Sequence, residues 1–395
     1  MSIRSSSFVA VAAVSLSASL VASVAAAQAN VPADVQRSAL HSYRVTRVAD
    51  GFVNPWSIAF VGNDLLVTER PGRLRIVRNG QLLPDSVPGL PPIRTGGQGG
   101  LLDVVPHPNF ATNRLVYISY SKPNADGTQG TTAVIRGRFE NDRLSNVEEI
   151  FEAQVWSPGR GHHGSRLAFD RNGYLFISLG DRQVPPEGDL AAHPAQNLAN
   201  HFGKIIRVHD DGRVPADNPF VAREGALPQT WSYGHRNVQG MTIHPETGEV
   251  LATEHGPQGG DEVNIVQAGK NYGWPVIGFG VNYTTGTAIH SGTMKAGMEQ
   301  PIHVWVPSIG TSGLMYYTGN AFPEWKGSLF AGGMAAGHLV RLTMNGRAVT
   351  DVERLVRGIG RVRDVRQGPD GFIYLAIEDR AGGKTPIVRI EPAAR

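Results

Sequence analysis

Arg166-Leu167-Ala168-Phe169-Asp170-Arg171-Asn172-Gly173-Tyr174-Leu175-Phe176-Ile177-Ser178-Leu179 consists of two short apolar runs on either side of an Asn-Gly pair. Branched and aromatic side chains favour extended backbone, and Asn-Gly suits a tight reversal, so the segment reads as a hairpin. The same grammar recurs in Ser57–Phe60 with Leu65–Thr68, in Leu101–Val105 with Leu115–Tyr120, and in Met241–Ile243 with Val250–Thr253. Leu314–Tyr317 with Ser328–Ala331, and Val362–Val365 with Phe372–Ile377, complete the series. Most copies run on into further strands, such as Leu74–Val77 and Leu339–Leu342. Four-stranded units recurring at roughly 45 to 80 residues read as blades. Six copies predict an all-β fold, a six-bladed β-propeller of four-stranded antiparallel blades. Regularly spaced strands also suit a large β-sandwich, but the repeated internal order favours the propeller. Helical periodicity is weak, with Ala191–Asn200 expected to make a turn or two.

The chain has 395 residues, and its start differs in composition from the rest. Arg4 precedes an apolar run from Phe8 to Val24, and Ala25-Ala26-Ala27 offers small residues for cleavage. Residues 1–29 therefore read as a signal peptide, 30–42 as an N-terminal segment, and 43–395 as the propeller domain. The expected location is periplasmic or secreted, without membrane insertion, because no later segment approaches ~20 apolar residues. The chain has no cysteine, and a core of this size does not need disulfides. The 37 basic residues against 34 acidic ones are too mild an excess to predict a nucleic-acid partner. Its 48 glycines and 26 prolines are spread along the chain, which fits numerous tight turns.

In a propeller the chain returns to one face at corresponding points of each blade, so unusual polar residues at strand ends should converge. His162 precedes the first strand of the quoted hairpin and Asp181 follows the second. Placed in a strand, the adjacent His162 and His163 would point to opposite faces, leaving one to work with Asp181. A histidine oriented by a carboxylate is a general base. Gln98 sits between Gly96-Gly97 and Gly99-Gly100, where backbone can approach a ligand closely. Trp231 to Gly240 is dense in polar groups and contains Arg236, a rigid donor fork suited to carboxylates, and Asn237. In Glu254-His255-Gly256-Pro257-Gln258-Gly259-Gly260-Asp261-Glu262 the Gly-Pro loop can present carbonyl oxygens to a hard cation. Asp261 and Glu262 could serve a metal instead. Arg361 and Arg363 share a strand face, with Asp364 on the other, and need an anion or acidic partners.

Taken in order, His162-x-x-x-Arg166 with Asp181, Tyr233-Gly234-His235-Arg236-Asn237-x-Gln239-Gly240, His255-Gly256-Pro257 through Asp261-Glu262 to Asn264, Asn271 to Pro275, and Arg361-x-Arg363-Asp364 form a specific set. The set resembles the soluble, pyrroloquinoline quinone (PQQ)-dependent glucose/aldose sugar dehydrogenases, closest to their compact aldose sugar dehydrogenase branch, over about Tyr43 to Ile390. That resemblance implies oxidation of aldoses at C1 to lactones, with hydride transfer to calcium-bound PQQ and electrons passed to an external acceptor. It implies His162 as general base, Asp181 as its support, and Gln98 near base and substrate. Arg236, Asn237, Arg361 and Arg363 become cofactor contacts, and the carbonyls of Gly256 and Pro257 ligands of the active-site calcium. A second, structural calcium would lie near Glu262 and Tyr272. One departure is Ala335, which stands where family members commonly place a cofactor-facing lysine. Two other readings compete: a calcium-dependent lactone hydrolase, and a non-catalytic propeller that binds a partner.

Overall fold

The computed structural model describes residues 29–393, and the predicted leader falls largely outside them. The chain forms six antiparallel sheets. Blade one comprises Pro55–Val61, Asp64–Glu69, Arg73–Arg78 and Gln81–Leu82; blade two comprises Leu101–Pro106, Leu115–Pro123, Gly130–Glu140 and Arg143–Glu152. Blade three is built from Leu167–Phe169, Leu175–Leu179, Lys204–Val208 and Thr230–Tyr233, and blade four from Val238–Ile243, Val250–Glu254, Asp261–Val266 and His303–Trp305. Blade five contains Thr311–Tyr316, Leu329–Gly333, His338–Asn345 and Ala348–Leu355. In blade six, Arg361–Gln367, Ile373–Glu378 and Lys384–Pro392 are followed by a strand from the other end of the chain, Ser42–Val53. Tyr43 pairs with Pro392 and Val45 with Ile390. This ring closure carries Gln36–Arg37 along as a fifth strand, so part of the expected N-terminal segment belongs to the sixth sheet.

The first strand of each blade touches the first strands of both neighbouring blades, and the sixth meets the first. The sequence explains the layering. Alternate residues of the inner strands are apolar and pack blade on blade, as Leu66, Leu74, Leu101 and Ile118 do between blades one and two. Phe330, Leu339, Val362 and Leu375 do the same between blades five and six. Helix among the described residues is confined to short turns, three of them 3₁₀ turns at Leu190–Ala192, Pro194–Gln196 and Pro323–Trp325.

The axis holds charge instead of hydrocarbon. Arg166, 1% exposed, donates to Asp364 at 2.9 Å and Asp103 at 3.3 Å. Arg366 joins the same two carboxylates at 3.0 and 2.9 Å, and Ser57 donates to Asp103 at 2.6 Å. Four blades thus meet in one buried ion network, which exists because each carboxylate has guanidinium and N–H partners to replace water. Asp364 points away from Arg363, as strand alternation predicts, and its partner is this hub.

Candidate active site

Each blade enters its first strand and leaves its second at the same end of the ring. Gln98, His162, His163, Asn237 and Arg361 therefore lie beside Arg70, Asp181, His255, Met334 and Arg380, which follow second strands. Among the described residues, a cavity of about 460 Å³ opens there, within the size range of small-molecule sites. Gln98, His163, Gln239, His255, Arg361 and Arg363 line it, with Trp56.

His162 is brought against Asp181, its Nδ1 lying 2.6 Å from Oδ1. The route differs from the expected one. Residues 162–165 are not in a strand, and His162 has φ 46° and Ser165 φ 77°. The kink, not strand alternation, separates the two rings: His163 lies on the cavity wall, with Nδ1 3.5 Å from the Thr132 hydroxyl. Such backbone persists only where surroundings hold it. Here Gln98 Oε1 accepts the His162 N–H at 2.8 Å. Gly180 permits the approach, since a Cβ there would sit 2.2 Å from the His162 carbonyl oxygen.

Asp181 is fully surrounded. It accepts from Trp274 Nε1 at 2.8 Å and the Gln183 N–H at 2.9 Å as well as from His162. Burial pushes its carboxyl up, but His162, Arg236 and the Gln183 N–H together hold it below the ordinary value. Burial also lowers His162, against the pull of Asp181. A neutral imidazole beside an ionised carboxylate donates from Nδ1, which leaves the Nε2 lone pair as the basic site.

The expected cofactor contacts fall into two linked groups. Arg363 donates to Glu378 at 2.9 Å and to Gln239 at 3.1 Å; Gln239 donates to Asn237 at 3.2 Å, and Asn237 accepts the Gly164 N–H at 3.1 Å. Arg361 lies 3.9 Å from the same Glu378. The paired arginines thus have a protein carboxylate between them, one of the two kinds of partner that Arg361-x-Arg363 calls for. Arg236 stands apart, beyond His255. It donates to the His255 carbonyl at 3.2 Å and the Gly256 carbonyl at 2.7 Å, and its guanidinium carbon sits 5.1 Å from the Trp274 ring centre. The buried Nε atoms of Arg236 and Arg361 and Nδ2 of Asn237 have no hydrogen-bond partner among the described residues, a pattern that suits an oxygen-rich anion.

The Gly-Pro loop presents hard oxygen donors, though the Gly256 carbonyl already accepts from Arg236 and the Pro257 carbonyl receives the Ser308 hydroxyl at 3.5 Å. No cluster of three or more His, Cys, Asp or Glu side chains suited to a metal occurs among the described residues. Glu262 lies against Glu254, and burial raises both carboxyls, Glu254 to about 8. Two buried acids in contact retain protons or need a cation. Tyr272 borders the same small recess, but its hydroxyl donates to the Ile265 carbonyl at 2.7 Å and accepts the Gln267 N–H at 2.8 Å. Its side chain is thereby engaged.

Sequence reasoning missed Arg70, Glu378, Arg380 and the support from Trp274. Arg70 and Glu378 had a readable signal: both stand at the end of a second strand, as Asp181 does. Trp274 comes from a connecting loop, and nothing in its spacing points at Asp181.

The six-bladed ring thus places a histidine–carboxylate pair beside a cavity lined by arginines. Residues 52–389 match the Glucose / Sorbosone dehydrogenase family, and the chain belongs to it. It is 40% identical to the aldose sugar dehydrogenase YliI of Escherichia coli, over 84% of this chain and 89% of that protein. A crystal structure of a glucose dehydrogenase superposes with TM-score 0.82 at 43% identity, covering 89% of this chain and 99% of the other. The PQQ-bound aldose sugar dehydrogenase of Streptomyces coelicolor gives TM-score 0.70 at 26% identity, covering 90% and 99%.

Proposed function

We propose that this chain is an exported quinoprotein that oxidises aldose sugars at C1 to lactones, with His162 as general base. The observation that carries the reading is the 2.6 Å His162–Asp181 contact beside a cavity walled by guanidinium groups. Family membership and the PQQ-bound relative support it. Arg361, Arg363, Arg236 and Asn237 would hold the quinone, and the Gly256 and Pro257 carbonyls calcium. When bound, PQQ supplies the acceptor for the hydride lost from C1, and calcium adds Lewis acidity.

His162 Nε2 takes the proton of the anomeric hydroxyl, and Asp181 stabilises the resulting imidazolium through Nδ1–H. Trp274 and the Gln183 N–H keep Asp181 ionised and fixed, while Gln98 pins the His162 backbone. Substrate sugar is small and neutral, so the cationic wall is left for the cofactor. Glu262 and Tyr272 would take the second calcium, with Glu254 beside them; the raised carboxyls of Glu254 and Glu262 support this, and the Tyr272 oxygen, which donates once and accepts once, keeps one lone pair. The leader-like residues 1–29 support export, and no helix among the described residues is long and apolar enough to cross a membrane. Electrons would then pass to an external acceptor.

The test loads purified protein with PQQ and calcium and follows dye reduction over a panel of aldoses. Sugar-dependent reduction that His162→Ala abolishes is expected. Bound cofactor without reduction by any sugar would refute the reading, and lactone turnover without quinone would favour a hydrolase.

A further inference from the structure

Arg70, Arg361, Arg363 and Arg380 all line the cavity, and Glu378 is the one carboxylate among the lining residues. Glu378 is buried and central: it lies 2.9 Å from Arg363, 3.3 Å from Arg70 and 3.9 Å from Arg361. His163 and His255 on the same wall are held neutral by burial. Four guanidinium groups against one carboxylate leave a surplus of three positive charges on one cup. Like charges packed this closely repel, and Glu378 cannot neutralise all of them. Arg380 is the least compensated. It is exposed, sits in the turn after the second strand of blade six, and has no carboxylate partner among the described residues. That turn is fixed: Asp379 accepts the N–H groups of Ala381 at 2.9 Å and Gly383 at 3.1 Å. On the neighbouring blade five, Ala335 is exposed and adjoins Met334, whose carbonyl accepts from Arg361 at 3.4 Å. A cation missing at Ala335 would thus be missing from this same rim.

We propose that Arg380, with Arg70 held by Glu378, binds a carboxylate of a flat tricarboxylate ligand and supplies the charge that Ala335 does not. The inference rests on the quinoprotein reading for the ligand's identity, but the cationic cup stands independently of it. A polyanion with three carboxylates matches the surplus, and charge-assisted guanidinium contacts give it direction.

The experiment measures binding, not turnover. PQQ and benzene-1,3,5-tricarboxylate are titrated separately onto the full chain with calcium present, followed by tryptophan fluorescence and equilibrium dialysis. Wild type, Arg380→Ala, Arg70→Ala, Arg380→Ala with Ala335→Lys, and Ala335→Lys alone are compared. Each arginine loss is expected to weaken PQQ binding about ten- to a hundredfold, and Ala335→Lys to restore most of the Arg380→Ala deficit. Arg380→Ala tests an exposed turn residue, so loss of folding does not confound it. Unchanged PQQ affinity in Arg380→Ala and Arg70→Ala would overturn the proposal while leaving the quinoprotein reading intact. Wild type that binds the benzene tricarboxylate through these arginines but not PQQ would sustain the cup and sink the quinone assignment. Failure of wild type to bind either probe overturns both.

Discussion

Replacing Asp181 by Asn isolates what the carboxylate does for His162. The side chain keeps its size, but the three donors around it, His162 Nδ1–H, Trp274 Nε1–H and the Gln183 N–H, then face one oxygen and one NH₂ group. If the oxygen stays on His162, the amide NH₂ confronts the indole N–H. If it turns to Trp274, the NH₂ faces Nδ1 and forces the proton to Nε2, which removes the base. In either orientation the charge that stabilises the imidazolium is gone. Two unit charges about 4 Å apart at an effective dielectric near 20 interact by about 4 kcal/mol. That corresponds to roughly a 10³-fold loss in kcat. Affinity for PQQ should change little, because Asp181 does not line the cavity. The assay is steady-state dye reduction by the loaded enzyme, with cofactor affinity measured in parallel. A kcat within tenfold of wild type, at equal cofactor occupancy, would refute the assignment of His162 and Asp181 as base and support.

Arg166→Met should cost about 3–5 kcal/mol, because it leaves Asp103 and Asp364 short of a buried partner; for a domain of this size, calorimetry should show Tm lower by about 4–6 °C, and a shift below 1 °C would count against the hub. Calcium should stabilise the protein more at pH 8 than at pH 5, since raised carboxyls at Glu254 and Glu262 must release protons before binding a cation. At a hundredfold excess over Kd the Tm rise is about 3–4 °C, and equal rises at both pH values would oppose a carboxylate site. Burial pushes His201 down to about 3, and its Nδ1 accepts the Gln154 N–H at 3.0 Å. Between pH ~6.5 and ~3 the unfolded chain binds a proton there that the folded chain does not, so stability falls as pH falls, by about 2 kcal/mol from 6.5 to 5. Urea titrations should show that slope reduced in His201→Gln, and an unchanged slope would exclude His201 as its source.

The six hairpins are legible because each is local: a β-branched run, a turn residue and a returning run lie within about twenty residues. What closes the ring is not local. Ser42–Val53 pairs with Lys384–Pro392 from the opposite end of the chain, and no nearby spacing announces that register. The same distinction separates the site residues. His162, Asp181, Arg361 and Arg363 stand at strand ends whose positions the hairpins determine, so their convergence follows once the ring is drawn. Trp274 reaches Asp181 from a loop between the third and fourth strands of blade four, and the loop's path is set by packing.

Arginine does two different jobs within a few ångströms, and sequence pattern alone does not separate them. Arg166 and Arg363 both approach the Trp56 ring, with guanidinium carbons 4.3 and 5.7 Å from its centre. Arg166 is matched by two carboxylates and a backbone carbonyl, Gln239 O at 2.9 Å, so its charge is answered within the fold. Arg363 shares its one carboxylate with two other arginines. Both are buried charges, yet only the second lies where arginines outnumber carboxylates on a cavity wall. Counting carboxylates per guanidinium, not burial or motif membership, is therefore what divides the hub where four blades meet, two carboxylates for Arg166 and Arg366, from the cavity wall, where Glu378 faces four arginines.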